Sequence, residues 1–146
     1  MGTQRGWRRL VLLASAALLV GGSVGADPVP SGMYGEYASQ RNQTQGYGYR
    51  EIFEPDVYRM DDGDTETEEV GLTGGEYRFK AICDDDCDDI DLEVLDSDGD
   101  VIASDYGLDS LPIVSFRATR GDYTVRLSME SCDWEPCQAV LMYMKK

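Results

Sequence analysis

Along residues 65–146 apolar and polar positions alternate with a period of two, in short runs separated by turn residues. Val70 and Leu72 precede the Gly74-Gly75 turn, and Tyr77, Phe79 and Ala81 then alternate with Arg78 and Lys80. Ile90, Leu92 and Val94 alternate with Asp91 and Glu93, and Val101 to Ala103 follow Asp98-Gly99, a hairpin signal. Val114 and Phe116, then Tyr123, Val125 and Leu127, repeat the rhythm. Gln138 to Met144 is nearly continuous apolar sequence, as in a strand covered on both faces. Period two with short turns, and no convincing amphipathic helix, predicts an all-β domain. The expected form is an antiparallel β-sandwich of jelly-roll or Greek-key type, with about seven to eight strands.

The residues before this domain break the pattern. Arg5, Arg8 and Arg9 stand ahead of the apolar run Leu10 to Val20, and small residues follow as far as Ala26. A basic flank, a short apolar core and a small-residue end predict a secretory signal peptide over residues 1–26. The apolar run is shorter than the ~20 residues a membrane-spanning helix needs, so no membrane insertion is expected after cleavage. Residues 27–64 are rich in Gly, Tyr and Gln and keep no apolar period. Such a segment buries too little surface to offset its ordering entropy, which predicts a mostly disordered leader. Within it, Ile52-Phe53 and Val57 to Met60 are the runs able to dock on the domain, and Asn42-Gln43-Thr44 is formally a glycosylation sequon.

Charge and cysteine content narrow the function. The formal net charge is -15 and histidine is absent. That field argues against nucleic-acid partners and against adhesion to anionic lipid. Without histidine there is no ordinary Ser-His-Asp or Cys-His machinery, and no Gly-rich phosphate loop is present. Export to a secreted or periplasmic location predicts that Cys83, Cys87, Cys132 and Cys137 are oxidised. Four cysteines allow three pairings. Each couple occupies one short loop between strands, which favours Cys83–Cys87 and Cys132–Cys137, and bridges joining the two loops stay open as the alternative. Zinc is disfavoured, since exported thiols oxidise and no histidine is available.

The chemistry-bearing stretch is Cys83 to Asp91, where six aspartates sit among two cysteines. Like charges at this density repel unless a cation or water screens them. Calcium, with its flexible oxygen coordination, is the candidate cofactor, and a solvated acidic face without an ion is the alternative. If successive strands run antiparallel, the Cys83–Asp89, Asp105–Leu111 and Met129–Cys137 loops gather at one pole. Asp86, Asp89 and Asp91, with Asp105 and Asp109, are then the candidate ligands. Asp96-Ser97-Asp98-Gly99-Asp100 is instead expected to be a tight hairpin, because it lacks the later glycine and terminal glutamate of an EF-hand loop. Trp134, beside Cys132 and Pro136, is a candidate ligand or partner contact, or alternatively a cap on the open end of the sandwich.

Gly74-Gly75-Glu76-Tyr77-Arg78, Asp89-Ile90-Asp91-Leu92, Asp98-Gly99, Asp105 and Gly121-Asp122-Tyr123-Thr124-Val125 occur in that order. The series resembles the bacterial pre-peptidase C-terminal domain, in a cysteine-bearing variant, over most of residues 65–143. The resemblance implies a β-sandwich accessory domain of a secreted protein, with calcium held in some related modules. The expected function is an exported, non-catalytic module that binds a protein or polysaccharide or serves a structural role in the cell envelope. The rival from another class is a small carboxylate-dependent hydrolase, glycosidase-like, since such chemistry needs only two carboxylates.

Overall fold

The structure, a computed structural model, describes residues 28–146. The expected signal peptide lies outside the described residues. Helix α1 (Tyr34–Gly46) comes first, followed by strands β1 (Arg50–Glu51) and β2 (Asp56–Met60). The remaining strands are β3 (Thr65–Leu72), β4 (Gly75–Cys83), β5 (Cys87–Leu95), β6 (Val101–Asp105), β7 (Ile113–Ala118), β8 (Gly121–Cys132) and β9 (Cys137–Lys145). They form two antiparallel sheets packed as a sandwich. One has the order β1-β9-β4-β7, with β2 also on β9; the other is β3-β8-β5-β6. Every strand expected from the alternation is present, and β1 and β2 add to them.

The core follows from period two. Phe79, Leu92, Val125 and Tyr143 point between the sheets, where they are buried together with Met60, Ile90, Leu127, Met129 and Leu141. Aromatic rings dominate one side: Phe79 packs edge-on against Phe116 and Tyr143, with centroids 5.1 Å away in both cases. Two turns are closed by the same device. In Thr73-Gly74-Gly75-Glu76-Tyr77, the Tyr77 hydroxyl donates to Thr73 O at 2.8 Å and accepts from Thr73 N at 3.2 Å. In Thr119-Arg120-Gly121-Asp122-Tyr123, the Tyr123 hydroxyl does the same with Thr119, at 3.2 and 3.1 Å. Each tyrosine thereby satisfies the backbone groups of the turn that launches its own strand.

The leader expected over residues 27–64 is corrected over its described part, which is built into the domain. Strand β2 extends the first sheet by pairing with β9, with Val57 opposite Val140 and Met60 opposite Cys137. Helix α1 lies on the outer face of that sheet, where Met33 and Tyr37 are buried with Ile82, Val140 and Met142. This explains why β9 is apolar on both faces. The helix is held locally by Gln40 Nε2 donating to Glu36 Oε1 at 2.7 Å, an i,i+4 pair with the acid near the N-terminus.

Lys80 shows why no apolar stripe announces this helix. It alternates with core residues on β4, as an outward polar residue should, yet it is only 2% exposed. Its ammonium donates to Gln40 Oε1 at 2.8 Å, Thr44 Oγ1 at 3.1 Å and Gln43 Oε1 at 3.5 Å. The inward face of α1 is therefore polar where it meets a buried charge. Burial first, and Arg78 second, push the Lys80 ammonium below its ordinary range. Thr44 of the sequon is fully buried in this contact.

Both disulfides are local, Cys83–Cys87 and Cys132–Cys137, with Cα atoms 5.9 and 6.0 Å apart. The alternative was a close one in space, because Cys87 stands opposite Cys132 in the β5–β8 ladder. Closing loops this short contributes about 2 kcal/mol per bridge in the chain-entropy account.

Candidate functional site

The pole expected from strand direction exists. Asp133 N donates to Asp86 O at 2.8 Å, joining the β8–β9 and β4–β5 loops. Ile90 N donates to Asp109 O at 3.1 Å, which brings in the β6–β7 loop. The β2–β3 turn arrives as well, with Asp62 Oδ1 accepting from Cys132 N at 2.9 Å. The sandwich is not a meander: from β2 to β9 every connection except β5–β6 crosses between the sheets, and each crossing still reverses direction, so the loops alternate between poles.

Within this pole the five candidate ligands divide. Asp86, with Asp84 and Asp85, lines a hollow of about 850 Å³ between the β4–β5 loop and the Met33 end of α1. Asp84 is committed to the fold through Oδ2, which accepts from Gln138 N at 2.7 Å, while its Oδ1 is buried without a partner. Asp105 bridges strand ends: Oδ1 accepts from Gly107 N at 3.0 Å and Oδ2 from Ile113 N at 2.9 Å. Asp109 caps its own loop through Leu111 N at 2.8 Å. Asp89 and Asp91 make no such bonds, and Asp89 Oδ1 is buried without a partner. Among the described residues, no group of three His, Cys, Asp or Glu side chains is arranged to hold a metal ion. The Asp96–Asp100 segment is the expected hairpin turn, with Asp96 Oδ1 accepting from Asp98 N and Asp100 N at 3.0 Å each and Gly99 at φ 85°.

Asp91 carries the electrostatic cost of the cluster. Its carboxyl is pushed up to about 6, by burial first and then by Glu130, Asp89, Asp105 and Glu93. Because the folded-state value lies above the unfolded one, its contribution to stability is full below about pH 4 and is lost as pH rises through about 6. Asp91→Asn is accordingly expected to raise the unfolding temperature at pH 7, without added cations, by roughly 3 °C. The gain should vanish below pH 4, and thermal scans at both pH values check it. An equal effect at both would assign the change to packing.

Three further surfaces were not visible in the sequence. At the open side of the sandwich, between β2 and β3, the Tyr143 hydroxyl donates to Asp56 Oδ2 at 2.5 Å and the Tyr58 hydroxyl to Glu68 Oε1 at 2.8 Å. Burial, then the bonded carboxylate, push both phenols well above the ordinary tyrosine range. Asp56, Glu68 and Tyr143 line a cleft of about 270 Å³ walled by Phe53. Beyond Phe53 a second groove, of about 610 Å³, runs between α1 and the β1–β2 connection, with Tyr34, Tyr37 and Pro55 in its lining. There the Tyr37 hydroxyl donates to Glu51 Oε1 at 2.7 Å, and burial with this bond pushes the phenol up to about 12. The third surface runs from β6 through the β6–β7 loop to the first residue of β7, where Val101, Ile102, Tyr106, Leu108 and Ile113 are all exposed.

Trp134 stands in solvent, 76% exposed, and does not cap the sandwich. No helix among the described residues is long and apolar enough to cross a membrane. The chain matches no protein-family model, and no curated protein matches it in sequence.

Proposed function

We propose that this chain is an exported, non-catalytic β-sandwich module of pre-peptidase C-terminal type that binds a protein or polysaccharide outside the cytoplasm, in the secreted or periplasmic space. The observation that carries the binding reading is the run of exposed apolar residues through β6, the β6–β7 loop and the start of β7: Val101, Ile102, Tyr106, Leu108 and Ile113. Large exposed apolar groups concentrated in one region favour an interaction surface over a merely solvated one. Two loop-local disulfides fit an oxidising compartment and support the location. The test is retention of envelope polysaccharide and exported-protein fractions by the immobilised oxidised chain. Tyr106→Ser with Leu108→Ser should abolish retention while leaving the circular dichroism spectrum unchanged. Retention that survives the double change would move the binding surface elsewhere, with Trp134 next in line.

Calcium belongs to this proposal as a stabilising ion. The partnerless Asp89 Oδ1 and the crowded Asp91 are the groups that would hold it, and it would neutralise their repulsion. Saturable calcium should raise the unfolding midpoint by mass action. Asp89→Asn or Asp91→Asn should weaken that rise, whereas Asp98→Asn, in the far hairpin, should not. Equal shifts with magnesium and with sodium chloride would remove the ion from the account.

A carboxylate-dependent hydrolase is the second reading, and one observation favours it. Asp56 and Glu68 share a cleft, each oriented by a phenol. Two positioned carboxylates are the minimum equipment for glycoside hydrolysis.

A further inference from the structure

The exposed edges of the two sheets are not protected alike. An unpaired edge offers free backbone donors and acceptors, and folded proteins usually blunt it with charge. Strand β3 is guarded in this way: Glu66, Glu68 and Glu69 lie along its eight residues. Strand β6 is not. It pairs only with β5, its first three residues are Val101, Ile102 and Ala103, and Val101 and Ile102 are 46% and 40% exposed. The apolar character continues past its end through Tyr106 and Leu108, the latter 91% exposed.

The surroundings of this edge are acidic. Asp98 and Asp100 precede β6, Asp105 closes it and Asp109 follows. On the adjacent strand Asp91 takes part in none of the ion pairs of the described residues, while Glu93 is bound to Arg126 at 2.7 Å. A second copy of this chain is a poor occupant, because it would bring the same acidic charge to the same edge, and like charges repel. An extended segment alternating basic and apolar residues satisfies both the backbone and the charge.

We propose that β6 is a strand-addition edge, which takes an extended basic–apolar segment of a partner protein as the fifth strand of the β3-β8-β5-β6 sheet. This rests on the binding reading above and narrows it to a protein partner. Main-chain hydrogen bonds along the five residues of β6 supply affinity, and alternate side chains supply selectivity.

The test uses the oxidised chain purified from an exporting host, labelled for NMR, titrated with an alternating lysine–valine hexapeptide. Expected are saturable amide shifts centred on Val101–Asp105, at least tenfold slower hydrogen exchange there, and no response to a glutamate–valine hexapeptide. Ile102→Lys, at an exposed position, should weaken binding at least tenfold with the rest of the spectrum unchanged. Shifts spread over the acidic outer face without protection of β6, or equal binding by the variant, would overturn the inference. So would concentration-dependent protection of β6 without peptide, which would make the occupant a second copy. If β6 ignores the peptide while retention still depends on Tyr106 and Leu108, strand addition fails and the binding reading survives. If no fraction is retained at all, the binding reading fails on its own test.

Discussion

Deleting residues 28–48 is expected to bring the domain close to unfolding. The deletion strips α1 and the segment ahead of it from the outer face of the first sheet, uncovering Ile82, Val140 and Met142, none more than 2% exposed in the intact fold. Fully burying a side chain of this size contributes roughly 1.5–3 kcal/mol, so the three together are worth on the order of 5–8 kcal/mol. Domains of this class are stable by only about 5–15 kcal/mol in total. Lys80 would regain water at the same time, and its relief moderates the loss without reversing it. Urea unfolding of the two oxidised chains measures the difference. A truncated chain with the full midpoint would mean that the helix merely adheres to a sheet stable without it.

Phe79→Ala is the most damaging single change expected in the core. Phe79 is fully buried, and its ring meets Tyr77, Phe116 and Tyr143 with centroids at 6.0, 5.1 and 5.1 Å. Truncation removes the transfer energy of the ring and leaves a cavity whose rigid aromatic walls close poorly, a loss of about 3–5 kcal/mol. The cavity also releases Tyr143, whose hydroxyl holds Asp56 at the edge cleft. Tyr34→Ala, at an exposed position on α1, should by comparison cost less than ~0.5 kcal/mol. Similar losses at the two positions, measured by denaturant unfolding, would contradict this view of the core.

The sandwich was legible because its signal is local. Alternation in Tyr77–Ala81, Ile90–Val94 and Tyr123–Leu127 reports one buried face per strand, and the observed strands follow it. The unbroken apolar run of β9 correctly announced cover on both faces, but nothing in it named the cover. That cover is α1, and its face toward the sheet carries Gln40 and Thr44 because Lys80 sits beneath it. A helix recognised by a polar contact has no apolar period to find. Spacing at Met33, Tyr37 and Thr44 was the available trace, since these buried positions recur at i, i+4 and i+11.

The pole of the candidate site was legible from strand direction, and its division was not. Asp105 and Asp109 look like ligands in sequence, yet both accept backbone N–H groups in the β6–β7 loop. Carboxylates in loops are often taken up by such local bonds, which sequence alone does not separate from metal ligation. The Asp56–Tyr143 and Glu68–Tyr58 pairs were invisible for another reason. They join residues 87 and 10 positions apart; the register of β2 on β9 aligns the first, and the second spans the two sheets from β2 to β3.

The measurement that bears most directly on the central claim follows binding and turnover in one sample. The oxidised chain is incubated with envelope polysaccharide and with exported-protein fractions, with and without calcium. The bound fraction and any new reducing ends or released peptides are then quantified together. A binding module retains a partner saturably and releases no product. Product release that disappears in Asp56→Asn or Glu68→Gln, with the fold intact, would contradict it and make the edge cleft an active site.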